Sequence, residues 1–331
     1  MNSSTIHAKK LGAYIHIPFC QSKCKYCNFF SYRASELDIE DYVCKLCKEI
    51  DGFDTDRIVD TVYIGGGTPT LIGVRNLNKI IAKFPYATEI TVETNPNVDI
   101  DFSELNANRL SIGLQSANDN ELKIIGRTHT YDQFLNCCEK ASKSYDNINV
   151  DLMYGLPLQS LESWRRTYKE VEKLSPKHIS FYSLTLEEPI FNDLPDDDTN
   201  IKMYWDFVDS FADYHHYEIS NIAKVGYECK HNLKYWNMEE YIGFGITAHS
   251  YYKDKRFYND KKWVRVYEKC NLELEYIFTG LRQIDGIDKK DIDKEIINKH
   301  ICLGTMEEIG DKIRLTRRGI EVSNQVFLDF A

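Results

Sequence analysis

A chain of 331 residues that is 43% hydrophobic and 28% charged can bury a large core, as one big domain or as a big domain carrying a small one. Its formal net charge of −10, with no Lys/Arg run longer than a doublet, argues against a surface that tracks nucleic acid. The opening MNSSTIHAKKLGAYIHIPFC lacks a signal-peptide apolar core, and no apolar run approaches the ~20 residues of a membrane span, so a soluble, cytoplasmic protein is expected.

In chain order, β-branched apolar runs alternate with amphipathic ones. Strands are predicted at 12–17, 61–64, 89–93, 109–114, 147–152 and 178–184. Helices are predicted at 37–50, 74–84, 101–107 (short), 131–144, 161–174 and 201–214, the last capped from the polar turn PDDDTN. Such alternation means parallel strands joined by crossover helices. GGGTPT, ETNP, QS and DLMYGLP follow successive strands, and in parallel α/β folds the carboxyl ends of the strands are where ligands bind. Six units are too few for a closed eight-stranded barrel, and no Gly-x-Gly-x-x-Gly follows the first strand, so the expected fold is α/β, a partial (β/α)6 TIM-like barrel. After about residue 220 the alternation stops. The chain is therefore divided into a barrel at 1–220 and a smaller α+β domain at 221–331, with KIRLTRRGIEVSNQVFLDF read as a strand or hairpin followed by a helix.

The ten cysteines are irregularly spread, unlike a secreted disulfide framework, and are expected to be reduced. Three of them, Cys20, Cys24 and Cys27, fall inside CQSKCKYCNFF with the spacing CxxxCxxC. Grouped thiolates in a reducing compartment serve chiefly as soft metal ligands. His16 and the Cys44/Cys47 pair are the nearest candidates for a fourth ligand, although Cys44 and Cys47, three apart on a helix, are expected to pack in the core. A structural zinc site needs four ligands at one point. A [4Fe-4S] cluster held by three cysteines leaves one iron open instead, where the amine and carboxylate of S-adenosylmethionine (SAM) can chelate.

CxxxCxxC after a first strand, with the aromatic Phe29 past the last cysteine, resembles the radical SAM superfamily. YIHIPFC, CKYCNF, GGGTPT, SIGLQS, GRTH, DLMYGLP, YSLTLEE, YEISN, HNLKYW and LTRRGIEVSNQVF are together similar to its oxygen-independent coproporphyrinogen III oxidase group, from about residue 11 to the C-terminus. The resemblance implies a partial barrel that binds a [4Fe-4S] cluster and SAM. Physical roles fit the matching positions. Gly66, Gly67 and Thr68 bring backbone close to the methionyl amine; Glu93 and Asp151, at strand ends, accept from ribose or ammonium; Gln115 both donates and accepts; Arg127 suits a carboxylate. The resemblance adds Tyr14, Tyr26, Thr185 and His249 as SAM neighbours.

Two branches of the group differ at this sequence's own residues. The dehydrogenase branch resembles CxxxCxxCxC and carries a longer segment before the cluster, whereas here Phe29 stands at the last place and nineteen residues precede Cys20. HNLKYW resembles the HNxxYW of the haem-chaperone branch (HemW), which implies haem held by His231, Tyr235 and Trp236, handed to haem-accepting proteins, with an electron donor as further partner. His249 is a rival haem ligand; His215 and His216, near a predicted helix end, are expected to be solvated or capping. The alternative function is coproporphyrinogen III dehydrogenase. SAM cleavage, peripheral membrane association and a homodimer are left open. One departure stands out: the chaperone segment resembles GIGPGAHS, and this chain has GFGITAHS at 243–250, which changes a backbone turn. The region from about 270 to 310 is also shorter than in that branch.

Overall fold

A computed structural model describes residues 9–33, 35–186, 189–290 and 292–331; Glu187 and Glu188, the end of YSLTLEE, lie outside the described residues. The chain divides into two compact units. The first comprises residues up to Leu114, Leu122–Asn149 and Glu239–Glu268; the second comprises Gln115–Glu121, Val150–Met238 and Lys269–Ala331.

Strand β1 (Lys10–Ile17) enters the first unit, followed by α1 (Glu36–Asp51), β2 (Ile58–Gly66), α2 (Gly73–Ile81), β3 (Glu89–Thr94) and β4 (Arg109–Gln115). β1 pairs parallel with β2, β2 with β3 and β3 with β4. Every residue of β4 is buried, as expected of a parallel strand covered on both faces. The expected short helix at 101–107 is a single 3₁₀ turn, Phe102–Glu104: Asp101 caps it by accepting from Ser103 N–H, and Leu105 is already extended. α1 starts at a reciprocal capping box of Ser35 and Asp38, a device worth about 1 kcal/mol. Its buried stripe is Tyr42, Val43, Leu46, Cys47 and Ile50. Cys47 packs in the core as expected, but Cys44 is exposed, because the core-facing stripe passes through 43, 46, 47 and 50 and leaves position 44 outside it.

α3 (Asp119–Ile124), α4 (Tyr131–Ser142), β5 (Ile148–Tyr154), α5 (Leu161–Leu174), β6 (His178–Ser183) and α6 (Asp197–Ser210) continue the alternation. In the second unit Trp164 and Tyr168 of α5 meet Phe207 of α6 and Phe181 of β6 in an aromatic core, with the Phe181 and Phe207 rings 4.4 Å apart. Each such buried ring contributes a few kcal/mol. α6 starts four residues before the predicted helix, where Asp196 accepts from Thr199 N–H. His215 and His216 lie on a strand, β7 (His215–Glu218), and not at a helix end. His215 Nδ1 is 2.8 Å from Glu228, and burial holds the His216 imidazole down to about 4. β7 pairs antiparallel with β8 (Asn221–Ala223), and β8 with β6.

α7 (Lys230–Trp236) precedes an antiparallel set in the first unit: β9 (Tyr241–Phe244), β10 (His249–Tyr252), β11 (Lys255–Asn259) and β12 (Arg265–Glu268). Its β9 pairs parallel with β1, so the strand order of this unit is β12-β11-β10-β9-β1-β2-β3-β4. The chain ends in the α+β arrangement expected there. α8 (Leu272–Gly280), β13 (Ile287–Asp288), α9 (Lys294–Cys302), the hairpin β14 (Met306–Ile309) and β15 (Lys312–Leu315), α10 (Arg317–Glu321) and α11 (Ser323–Leu328) enclose their own core, with Leu281, Met306, Ile313 and Val326 nearly fully buried.

Candidate metal and cofactor site

The three-cysteine loop leaves the carboxyl end of β1 and is held by backbone on three sides. Cys20 N–H donates to Tyr32 O at 3.0 Å and Tyr32 N–H to Pro18 O at 2.8 Å, which closes the loop on itself. Gly67 N–H donates to Ile17 O (2.8 Å) and Thr68 N–H to Phe19 O (2.7 Å), which ties it to the end of β2. Lys25 N–H donates to Ile125 O at 3.0 Å, which ties it to the turn after α3. A Cβ at Gly67 would stand 2.5 Å from the Phe19 carbonyl oxygen, so the close approach of these backbones requires glycine there. Gly66 has φ +109°, and a Cβ would meet the His16 ring at 2.6 Å.

All three cysteines of the loop are half-buried. Burial pushes the Cys27 thiol up, and the nearby Cys24 and Cys20 add to the rise. Two polar side chains approach the sulfurs: Thr68 Oγ1 lies 3.7 Å from Cys20 Sγ, and Arg127 Nη1 lies 3.8 Å from Cys24 Sγ. Asn95 joins them, donating from Nδ2 to Thr68 Oγ1 (2.8 Å) and accepting at Oδ1 from Arg127 Nη2 (2.7 Å). Asn95 takes one lone pair of the threonine oxygen, which leaves the Thr68 hydroxyl proton available to donate to Cys20 when that sulfur is a thiolate. A continuous path therefore runs from one thiol to the other through Thr68, Asn95 and Arg127. Arg127 also donates to Gly113 O at 2.7 Å, so its guanidinium is fixed at two oxygens.

Beside the loop lies a second network. Tyr63 donates to Glu93 Oε1 at 2.8 Å, and Gly66 N–H donates to Oε2 at 3.2 Å. His16 Nε2 is 3.0 Å from Phe30 O; a carbonyl only accepts, so the proton is on Nε2 and Nδ1 accepts from the Tyr14 hydroxyl at 3.1 Å. Burial depresses the His16 pKa and keeps it neutral, and burial with the charge of Glu93 raises that of Tyr14. Both His16 nitrogens are thus occupied within the chain. His249 faces Glu268 at 3.4 Å and stacks on Tyr258 with ring centres 5.0 Å apart. Tyr26 is half-buried on the loop, and Phe29 is exposed.

Among the described residues no three His, Cys, Asp or Glu side chains converge as the ligands of one ion do. A cubane does not ask this of them, since each thiolate takes a different iron. Three half-buried thiols with a hydroxyl and a guanidinium beside them fit such a cluster. Glu93, with glycine backbone beside it, is a polar group suited to a ligand carrying ammonium or ribose hydroxyls.

The remaining expected residues belong to the second unit. Gln115, last in β4, is buried and takes φ +73°, a conformation costly for a side chain that has a Cβ. Asp151 is the fourth of the seven residues of β5, mid-strand and not at its end, because β5 runs on to Tyr154. Thr185 is exposed, its hydroxyl 3.4 Å from Ser183 O. His231 is fully buried at 0% exposure, and its Nε2 is 2.8 Å from the Tyr235 hydroxyl. Trp236 lies under the Arg282 guanidinium at 4.7 Å, and its indole N–H is buried without an acceptor among the described residues. Asn95 and Tyr63 were not singled out from sequence; ETNP marked the segment of the first, and nothing in YIGG marked the second.

A model of the radical SAM superfamily matches residues 14–171. The heme chaperone HemW of Lactococcus lactis is 31% identical, with 97% of each chain covered. The heme chaperone HemW of Escherichia coli is 38% identical over 72% of this chain and 69% of its own. Among solved structures, coproporphyrinogen III oxidase (HemN) from Escherichia coli, described as a radical SAM enzyme, superposes with a TM-score of 0.83 at 20% identity, covering 98% of this chain and 90% of the other. That likeness shows the fold: the α/β radical SAM partial barrel with a C-terminal α+β domain.

Proposed function

Because the chain belongs to the radical SAM superfamily and, within it, to the HemW family of haem chaperones, we propose that it binds haem and delivers it to haem proteins, with a [4Fe-4S] cluster on Cys20, Cys24 and Cys27 and SAM at the iron they leave open. The observation that carries the cluster assignment is the loop itself. Three half-buried thiols stand on one loop, and the Thr68–Asn95–Arg127 path sets polar groups against two of the sulfurs. Bound there, cluster and SAM supply one-electron chemistry at the sulfonium. The chain's part is to hold thiolates with a nearby cation, to keep His16 neutral and out of ligation, and to offer Glu93 and the Gly66–Thr68 backbone to SAM. Gln115, Asp151, Thr185, Tyr14, Tyr26 and His249 are proposed to complete the SAM surroundings.

Haem is assigned to HNLKYW. The buried indole N–H of Trp236 is a donor without a chain partner among the described residues, which suits an oxygen of a bound group. His231 Nε2 meets iron only by giving up the Tyr235 hydroxyl, and because the side chain is fully buried, haem entry involves uncovering it. The proposed setting is the cytoplasm; among the described residues no helix is long and apolar enough to cross a membrane. Anaerobic haem titration of wild type and His231→Ala, run beside a coproporphyrinogen decarboxylation assay, tests the reading. Haem binding that His231→Ala weakens, with no porphyrinogen product, is expected; haem that fails to bind, or binds unchanged in the variant, while product forms, points to the dehydrogenase instead.

A further inference from the structure

A cleft of about 790 Å³ opens in the first unit between the last turn of α1 and one face of the β10–β12 ribbon, and it shares no lining residue with the cluster loop. Strand register explains its floor. Phe257 pairs with Tyr267 and Asn259 with Arg265, and side chains two apart on a strand share a face, so Lys255, Phe257 and Asn259 of β11 stand beside Tyr267 and Arg265 of β12. Lys48 comes from the last turn of α1, Phe53 from just past its C-cap Gly52, and Trp263 from the β11–β12 turn. Asp260 holds that turn by accepting from Lys262 and Val264 N–H, both at 2.8 Å, with Trp263 at φ +66°. The indole then rests against Tyr42, ring centres 5.1 Å apart.

Charge in the cleft opposes that of the whole chain. Against a net −10, the lining carries Lys48, Lys253, Lys255 and Arg265, with Glu49 and Asp54 as its acids. Glu49 is already committed, accepting from Gly245 N–H (2.8 Å) and Asn259 Nδ2 (2.6 Å). The four cations form no ion pair among the described residues. Three of them lie over aromatic faces instead: Arg265 is 4.4 Å from the Phe257 ring centre, Lys253 is 5.1 Å from Tyr252 and Lys255 is 5.9 Å from Tyr267. Cations parked on rings keep most of their charge available to an incoming anion. Flat walls, spare cations and a volume in the range of small-molecule sites define one ligand chemistry.

We propose that this cleft is a second binding site, for a planar aromatic anion. Its ring would stack among Phe53, Trp263 and Tyr267, over the buried Phe257, and its carboxylates or phosphates would meet Lys48, Lys255 and Arg265. No His, Cys or Met lines the cleft, so recognition is of the ring and its charges and not of a bound metal. A tetrapyrrole dicarboxylate and a nucleotide both carry this chemistry.

The test titrates the full chain separately with metal-free protoporphyrin IX and with ATP. Binding of at least one is expected, weakened at least tenfold by Lys255→Glu/Arg265→Glu and by raised salt, and unchanged in Lys169→Glu/Lys312→Glu, which makes the same charge change at positions that do not line the cleft. Whichever probe binds names the source. His231→Ala is expected to leave this binding intact, which separates it from the haem assignment above. Should the charge-reversed variant fail to fold, Tyr267→Ala, an exposed edge-strand position, carries the same tenfold expectation. Neither probe binding at millimolar concentration, or cleft and control variants binding alike, overturns the proposal.

Discussion

Replacing Asn95 separates the two jobs of the path between the thiols. Asn95→Ala removes a neutral hydrogen bond to Thr68 at 2.8 Å and a charge-assisted one from Arg127 at 2.7 Å, worth roughly 1 and 1.5–3 kcal/mol in turn. A loss of about 2.5–4 kcal/mol is expected, with Arg127 swinging free of Cys24. Asn95→Asp keeps the acceptor for Arg127, now as an ion pair, but its carboxylate captures the Thr68 hydroxyl proton and takes it from Cys20. This variant is expected to lie within about 1 kcal/mol of wild type in stability, yet to lose iron from a reconstituted cluster faster. Urea unfolding of the apo-protein and iron retained per chain after anaerobic reconstitution and desalting provide the two readouts. An Asn95→Ala variant with wild-type midpoint and wild-type iron retention would refute the reasoning.

Thr247 sits at φ +60°, where the resembling chaperone segment has glycine. The left-handed conformation costs a side chain about 1–2 kcal/mol and glycine gives back 0.5–1 in chain entropy, so Thr247→Gly is expected to stabilise by about 0.5–1 kcal/mol in urea unfolding. Gly67→Ala drives a Cβ to 2.5 Å from Phe19 O and is expected to abolish cluster reconstitution, read as loss of the brown absorption. Burial, reinforced by Arg127, holds His129 down to about 3 from its ordinary 6.5. Its folded form stays neutral while the unfolded form protonates, so its contribution is complete above pH 6.5 and is lost as pH falls toward 3, at up to about 1.4 kcal/mol per unit. His129→Gln should flatten the pH dependence of stability between pH 6 and 4; an unchanged slope counts against it. Tyr235→Phe removes the 2.8 Å partner of His231 and is expected to speed haem uptake severalfold in stopped-flow mixing; an unaltered rate argues against His231 as the ligand.

The regular alternating elements were legible because each shows its burial directly in sequence: β4, buried throughout, is an apolar run that differs from its predicted bounds by one residue, and α5, with one buried stripe, has the predicted bounds. The antiparallel set at 241–268 was not, since strands of four or five residues carry too short a pattern, and parallel pairing of β9 with β1 is a contact across more than two hundred residues. The spacing of Cys20, Cys24 and Cys27 marked their loop, which the structure pins to the ends of β1 and β2. Asn95 was not legible, because an asparagine before proline reads as a turn residue, and its role depends on Thr68 and Arg127 arriving from two other loops. The left-handed backbone of Gln115 and the burial of His231 are likewise products of tertiary packing that no local pattern announces. Cys44 shows the converse error: a cysteine three residues from a buried one was assigned to the core although the helix carries it outside.

The central claim is tested most directly by adding haem anaerobically to the reconstituted protein and then mixing the complex with an apo-haem protein in the same cuvette. Haem bound in stoichiometric amount and then moved to the acceptor is the predicted result, with Cys20→Ala changing the transfer and His231→Ala abolishing the binding. Haem that never binds, or that stays on the chain whatever acceptor is offered while coproporphyrinogen is decarboxylated, contradicts the account.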